Sequence, residues 1–305
     1  MLFLLSISAM AEQTNYDIGK VAGSELKIGL GPRAVAMGEA FVAKADDLNS
    51  TAWNPAGLSQ IQGLQAGFMH NIYLESTALE YVAFAHNLFP NAGIGANVMM
   101  LNFGKMDKLD ENANLVGDFT PTVLSASIGY GQWLLPSVAV GGAVKYYSQN
   151  IDTSKNSAVA VDLGALVKPG LEGLQLGVAV QNIGSKVGDA DLPLNAKVGA
   201  AYVLPTKFGP SDTWNVLADV NIPFGDTRYI SGNVGTEYWF ANFLAGRLGY
   251  KIKDTGDLGG VTGLTAGLGA KLPVGETFNV SVDYAMVSFG DLGRSHQIMV
   301  GVGLK

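Results

Sequence analysis

The side chains able to do chemistry in this 305-residue chain are scattered rather than clustered. His70, His86 and His296 are far apart in sequence, and none has a partner at metal-ligand spacing. There is no cysteine, which excludes disulfides, thiolate metal sites and a thiol nucleophile. No Gly-x-Ser-x-Gly elbow is present to hold a serine nucleophile. Gly259-Gly260-Val261-Thr262-Gly263 lacks the lysine and following helix of a phosphate loop, and reads as a loop entering a strand. Asp254-Thr255-Gly256-Asp257 could offer oxygens to Ca²⁺, but without a full ligand pattern it reads as a solvated loop. These residues predict a protein that is not an enzyme and holds neither cofactor nor metal.

One set of charged residues does follow a pattern. Lys145, Asp162, Lys197, Asp219, Glu237, Arg247, Lys251, Lys271 and Asp283 each fall on the polar face of a segment whose other face is apolar. On a lipid-facing surface such charges would cost roughly 2–4 kcal/mol at mid-membrane, so they are expected inside. Both signs occur, so the expected chemistry is pairing, among themselves and with Arg33, Asp46 or Asp47, ahead of an ion-selectivity ring.

The elements that must position them alternate with period two, the mark of strands with unlike faces. Residues 277–286 place Thr277, Asn279, Ser281 and Asp283 on one face against Phe278, Val280, Val282, Tyr284 and Met286 on the other. Fourteen such runs follow one another, at 63–70, 78–87, 92–103, 121–132, 137–149, 157–168, 173–183, 193–204, 213–223, 229–239, 242–252, 261–272, 277–287 and 295–304. Leu217 breaks the alternation of its run. Most runs are longer than the ~5–6 residues of a soluble strand and match the ~9–11 of a tilted membrane strand.

Composition agrees. Hydrophobic residues make up 48% and charged residues 15%, yet no window approaches the ~18 apolar residues of a membrane helix. The apolar content is therefore spread over many short strands. Glycine, at 40 residues, disfavours helix, and a net charge of −7 argues against nucleic acid. Small inward residues (Gly177, Gly267, Gly269, Gly301, Gly303) would leave room for something inside.

Connections alternate in length. Those marked by Pro90, Pro136, Pro169 and Pro273 are short, as is 240–242, while 205–212 is a longer exception. Those at 104–120, 150–156, 184–192, 253–260 and 288–294 are longer and rich in Asp and Gly. Outer-membrane barrels show this asymmetry, with tight periplasmic turns and longer outer loops, so both termini are expected in the periplasm. Phe89, Trp133, Trp214, Trp239 and Phe240 lie beside short turns, and Tyr73, Phe103, Tyr146, Tyr147, Tyr229 and Phe289 near the other rim, as two interfacial belts would place them.

Residues 1–11 read as a secretory leader with a truncated n-region, with an apolar stretch ending in Ala9-Met10-Ala11. Residues 12–60 differ from the strands that follow over 61–305. The stretch from Gly31 to Asp47 is Ala-rich and helix-compatible, with Pro32 suited to a first turn and Gly38 weakening it. Val35, Phe41 and Val42 would pack such a helix, and Trp53-Asn54-Pro55-Ala56-Gly57-Leu58 is a turn signal.

This segment closely resembles the opening of the PorV/PorQ family within the FadL-like outer-membrane barrels. The likeness is carried by Gly31, Arg33, Met37, Gly38 and Phe41, by Asp46 and Asp47, and by Trp53, Asn54, Pro55, Ala56 and Gly57. It is sharp over residues 29–60 and architectural beyond them. It implies an all-β, fourteen-stranded antiparallel transmembrane barrel with an N-terminal plug, or hatch, inside. The chain is short for the group, which implies reduced outer loops, and Lys305 stands where such barrels often finish on an aromatic. The function implied is non-enzymatic handling of a hydrophobic small molecule or an exported cargo in outer-membrane lipid. The alternative is a type IX secretion component that docks secreted proteins carrying a C-terminal sorting domain.

Overall fold

The computed structural model describes residues 21–75, 77–205, 208–224, 230–252 and 261–304. The expected leader, the Asp254-Thr255-Gly256-Asp257 loop and Tyr229 lie outside these residues. The strands are β1 (Leu64–Ile72), β2 (Ala78–Phe89), β3 (Ala92–Asn102), β4 (Met106–Leu109), β5 (Leu115–Phe119), β6 (Thr122–Leu135), β7 (Val138–Ile151) and β8 (Ser154–Val167). They continue with β9 (Leu174–Gly184), β10 (Asn195–Leu204), β11 (Thr213–Pro223), β12 (Ser231–Phe240), β13 (Leu244–Ile252), β14 (Thr262–Val274), β15 (Phe278–Phe289) and β16 (Arg294–Leu304).

Fourteen of them close into one antiparallel barrel in chain order, sealed where β1 pairs with β16. The fourteen-strand fold class expected from the alternation is the one found. Closure leaves no sheet edge, so the backbone hydrogen bonds of the wall are met without water. The barrel strands run from 9 to 14 residues, enough to cross hydrocarbon when tilted.

Alternation in sequence becomes alternation in burial. Along β13 every outward residue from Leu244 to Ile252 is exposed and every inward one from Ala245 to Lys251 is buried. Ile128, Leu248 and Leu268 are among many large apolar side chains exposed on the outer surface. That surface is stable only against an apolar solvent. Leu217 breaks its pattern because it faces inward, buried beside Ala201 and Phe41.

Several expectations are corrected. The 104–120 connection holds a separate hairpin, β4 with β5, closed by a turn in which the Asp110 carboxylate accepts from the backbone of Asn112 and Asn114. The 150–156 connection is mostly strand: β7 and β8 meet over a tight turn with Asp152 at φ 52°. The Ala-rich stretch is helical only over α1 (Pro32–Ala36), because Gly38 turns the chain at φ 67° and ends it. A second short helix, α2, spans Ser50–Trp53. Trp133, Trp239 and Tyr147 share the inward phase of their strands and do not join the outer belts, whereas Trp214 and Phe240 face outward. Leu304 ends the described chain at the short-turn rim beside Leu64, but Val21 pairs with Asp191 in the 185–194 connection, at the opposite rim. The first described residue is therefore at the other rim from the last, while the N-terminus whose side was expected lies outside the described residues.

Candidate functional site

Residues 21–63 run down the inside of the barrel from the long-loop rim to the short-turn rim. Near the top, the hydroxyl of Tyr147 donates to Glu25 at 3.2 Å, in a 3₁₀ turn over Ser24–Lys27. Leu26, Ile28 and Leu30 then pack against Met69, Tyr81, Met99, Leu101 and Met299. The packing in this half of the lumen is mainly apolar. The chain next turns at Gly31, whose φ of 87° suits glycine, and Pro32 opens α1. Below it, a 3₁₀ turn over Pro55–Gln60 leads to Ile61 and the start of β1.

The other half of the lumen is charged, and its groups pair. Arg33 Nε and Nη2 donate to the two oxygens of Glu237 at 2.8 and 2.9 Å, while Nη1 reaches Asp46 at 2.6 Å and Asp47 at 3.2 Å. Arg247 donates to Glu237 at 2.8 Å and to Asp283 at 2.6 Å, and stacks over Trp239. Lys44 extends the chain of charges to Asp46 at 2.9 Å. Nearer the long-loop rim, Lys251 of β13 is bonded to Glu39 in the segment just after α1. Among the described residues these charges alternate in sign at hydrogen-bond distance, so they form pairs and not a ring of one charge.

Further contacts, most of them to backbone groups and rings, hold the rest. Asp219 accepts from the backbone N–H groups of Phe41 and Val42 at 2.7 and 2.9 Å. Phe41 meets Trp53 edge-on with ring centroids 6.1 Å apart, Met37 is buried in the same cluster, and Lys197 lies 4.3 Å over the Trp53 ring. The amide of Asn54 donates to Val42 O at 2.8 Å and Ala165 O at 3.2 Å, and its oxygen accepts from Ala56 N–H at 3.1 Å. Pro55 and Ala56 press on Gly131 and Gly141 of the wall, and Gly57 on Ala45, so closely that a side chain at those glycines would overlap backbone. Gly177 and Gly267 likewise make room for Val42 and Ala36, and Gly269 for Arg247 and Asp283. Gly301 meets only the Ser281 hydroxyl closely, and at Gly303 a side chain would meet the Leu64 carbonyl at ordinary contact distance. Lys145 pairs with Asp162 at 2.9 Å and with Asn182 at 2.6 Å, away from the segment inside. Lys271 keeps the inward phase but is exposed at the short-turn end, outside this network.

Sequence reasoning missed the uncharged donors that stitch this segment to the wall. Thr265 binds both Ala36 O and Gly38 N–H at 2.9 Å, Gln175 donates to Ala43 O at 2.6 Å, Gln181 to Ala52 O at 2.7 Å and Gln297 to Gly29 O at 3.0 Å. Their signal was present, since each occupies the polar phase of its run, but charge drew attention first. Glu39 was also missed, because nothing in its spacing points across the lumen to Lys251.

Two cavities open at the rims. One of about 650 Å³ at the long-loop rim is lined by Ile28, Tyr73, Leu74, Leu101, Phe103 and Met106, with Glu25, Glu75 and Lys105 at its edge. The other, of about 410 Å³, lies at the short-turn rim between Lys44, Asp46 and Gln60 and the wall residues Leu171, Leu174 and Val203. Among the described residues no three His, Asp or Glu side chains are placed to hold a metal ion. At the short-turn rim, the carboxyl of Asp212 is held below the usual carboxylate range by hydrogen bonds from the Tyr238 hydroxyl and the Ala241 N–H.

Residues 4–200 match the profile of UPF0164, an uncharacterised protein family. No curated protein matches the chain in sequence. Among solved structures, the Ralstonia pickettii toluene transporter TbuX superposes with a TM-score of 0.60 at 13% identity, covering 90% of this chain and 97% of that one. The Pseudomonas putida toluene transporter TodX gives 0.60 at 11% identity over 88% and 96%. A Pseudomonas aeruginosa FadL homologue gives 0.52 at 10% identity over 87% and 95%. At these identities the shared property is the fold, a FadL-like barrel.

Proposed function

Because the chain belongs to UPF0164, an uncharacterised protein family, we propose its function from the barrel itself: a non-enzymatic outer-membrane channel for a small hydrophobic molecule. In this reading residues 31–60 are a fixed hatch, the short-turn rim faces the periplasm and the long-loop rim faces outward. The observation that carries it is the divided lumen. Its outward half holds an apolar cluster in which Leu26, Ile28 and Leu30 fill the space between wall residues, beneath a cavity walled by Tyr73, Leu101, Phe103 and Met106 and beside the Lys251–Glu39 pair. A hydrophobic guest gains about 25 cal/mol for each Å² of apolar area it takes out of water, and what it displaces on entering this half is the segment 22–30. Residues 31–60 are bonded to the wall by Arg33, Asp219, Asn54 and Thr265, and block a free water path. The toluene transporters TbuX and TodX, which share the fold, support this choice of cargo class.

Vesicles containing the protein and an apolar fluorescent probe test this reading. Deleting residues 22–30 is expected to speed probe passage while ionic conductance stays low, and deleting 31–58 is expected to raise conductance in planar bilayers. Equal probe flux with and without the protein would end the proposal. The alternative of docking secreted proteins rests on the resemblance of residues 29–60 alone, and no feature of the lumen favours it.

A further inference from the structure

All three histidines face away from the lumen. Among the described residues, the imidazole or charged side chains on the outward phase of the barrel strands are His70, His86, Glu80, Lys155, Arg294 and His296. His86 lies toward the short-turn rim, bonded to Gly63 O, and Lys155 lies on the β7–β8 hairpin beyond the stretch of β8 that pairs with β9. The other four gather on β16, β1 and β2 beside the long-loop rim, on a face that is otherwise apolar. This concentration needs an explanation, since charge on the hydrocarbon-facing side is costly except near the interfaces.

The arrangement supplies one. Arg294 is exposed at the first position of β16, and His296 follows it on the same outward column. The Tyr284 hydroxyl lies 2.7 Å from His296 Nδ1, and the two rings stack at 25°. On β1, His70 stands opposite Ile298 and bonds Glu80 through Nδ1 at 2.7 Å. In both histidines Nδ1 is engaged, so Nε2 remains to meet a further group. Glu80 is on β2, two strands from Arg294, with Oε1 engaged by His70 and Oε2 buried without a hydrogen-bond partner. Below the polar group on β16 come Ile298, Val300 and Val302, all exposed.

Depth agrees with this grouping. β1 has nine residues; tilted, it spans about 21 Å, against an apolar band of ~25 Å. Centred in that band, its outer end lies about 2 Å short of the boundary where lipid headgroups begin; His296 pairs with Ile72 at that end, and Arg294 stands two residues beyond it. A guanidinium and ring nitrogens at that boundary, over a greasy column, match one kind of molecule. We infer that this face binds a phosphate-bearing membrane lipid, its headgroup held by Arg294, His296, Tyr284 and His70 and its acyl chains lying along β16. The inference rests on the reading of the chain as a membrane barrel, but not on the cargo.

The test is native mass spectrometry of the full chain in detergent micelles, titrated with phosphatidate or with diacylglycerol. The protein is expected to retain phosphatidate and not diacylglycerol. The double variant R294Q/H296N should bind phosphatidate about tenfold more weakly, with the loss of charge-assisted hydrogen bonds, while Lys155→Gln binds as the parent does. Equal binding by parent and double variant overturns the inference, as does displacement of phosphatidate by millimolar inorganic phosphate, which would remove the lipid as occupant. Heat-modifiable gel mobility separates the two readings. A folded barrel without lipid preference overturns this site alone, whereas a chain that never reaches a heat-resistant form in micelles takes the membrane reading down with it.

Discussion

Arg33 and Glu237, 204 positions apart in sequence, meet side-on, with both carboxylate oxygens accepting from one guanidinium at 2.8 and 2.9 Å. The pair ties the inner segment ionically to the wall, as Lys251 and Glu39 also do, and Arg247 shares the Glu237 carboxylate from the wall side. Such an arrangement is costly to break from one side, because the remaining charge stays buried without compensation.

Glu237→Gln is therefore expected to weaken the link without opening the wall, whose closure depends on backbone hydrogen bonds. Asp46, Asp47 and Asp283 still neutralise the two arginines, so the loss should fall near the low end for a buried pair, about 3 kcal/mol. Planar-bilayer recordings should show current bursts absent from the parent protein, while the folded band on unheated gels persists. Silent recordings would mean that this ion pair does not keep the hatch in place.

Asn54 offers a test of hydrogen bonding without net charge. Its amide serves Val42 O and Ala165 O, and its oxygen serves Ala56 N–H. Asn54→Ala strands these backbone groups and should cost about 2–4 kcal/mol, by the usual penalty for unmet buried partners. Asn54→Asp keeps the shape but turns a carboxylate toward two carbonyl oxygens, so it should be the worse of the two. The temperature at which the folded band disappears on gels ranks them, and an Asp variant as stable as the parent would contradict the assigned geometry.

The wall was legible in the sequence because strand phase is a local property. Each residue's neighbours two positions away report the side it faces, so Lys251, Arg247 and Asp283 could be placed before any fold was known. Phase also contained the answer for Trp133, which follows Ser125, Ser127, Gly129 and Gly131 on the inward side. It was misjudged because a tryptophan beside a short turn suggests an interfacial belt. The path of residues 21–30 was not legible. Nothing local tells whether an apolar stretch runs up or down a lumen, since that depends on wall residues far away, such as Tyr147 and Gln297. The β4–β5 hairpin was missed because its two strands of four and five residues are too short to show periodicity.

The outer surface makes a prediction about solvent. Leu268 is exposed near the middle of β14, and Val274 on the same outward phase is exposed at its end. If hydrocarbon bathes this face, Leu268→Arg should lower folding stability in vesicles by about 2–4 kcal/mol and Val274→Arg by about 0–1 kcal/mol. Denaturant titrations in vesicles give both numbers. Equal small effects would show that water, not lipid, touches β14.

The last prediction concerns pH at the short-turn rim. Asp212 accepts from Ala241 N–H at 2.8 Å and from the Tyr238 hydroxyl, which keeps its carboxyl below the usual range. A folded value below the unfolded one means that the stabilisation is present above the unfolded value, about 3.9, and is lost as pH falls through the folded value. The Trp214 ring lies 6.1 Å from that of Tyr238 and donates to Thr236 at 2.8 Å, so it reports on the same contact. Its emission, taken as the difference between the protein and its Trp214→Phe variant, should be steady from neutral pH to about pH 4 and change below it. Asp212→Asn cannot ionise, so the same difference should lose its acid transition. A transition that survives in Asp212→Asn would assign it to another carboxylate and remove Asp212 as the clasp between the 205–212 connection and the β12–β13 turn.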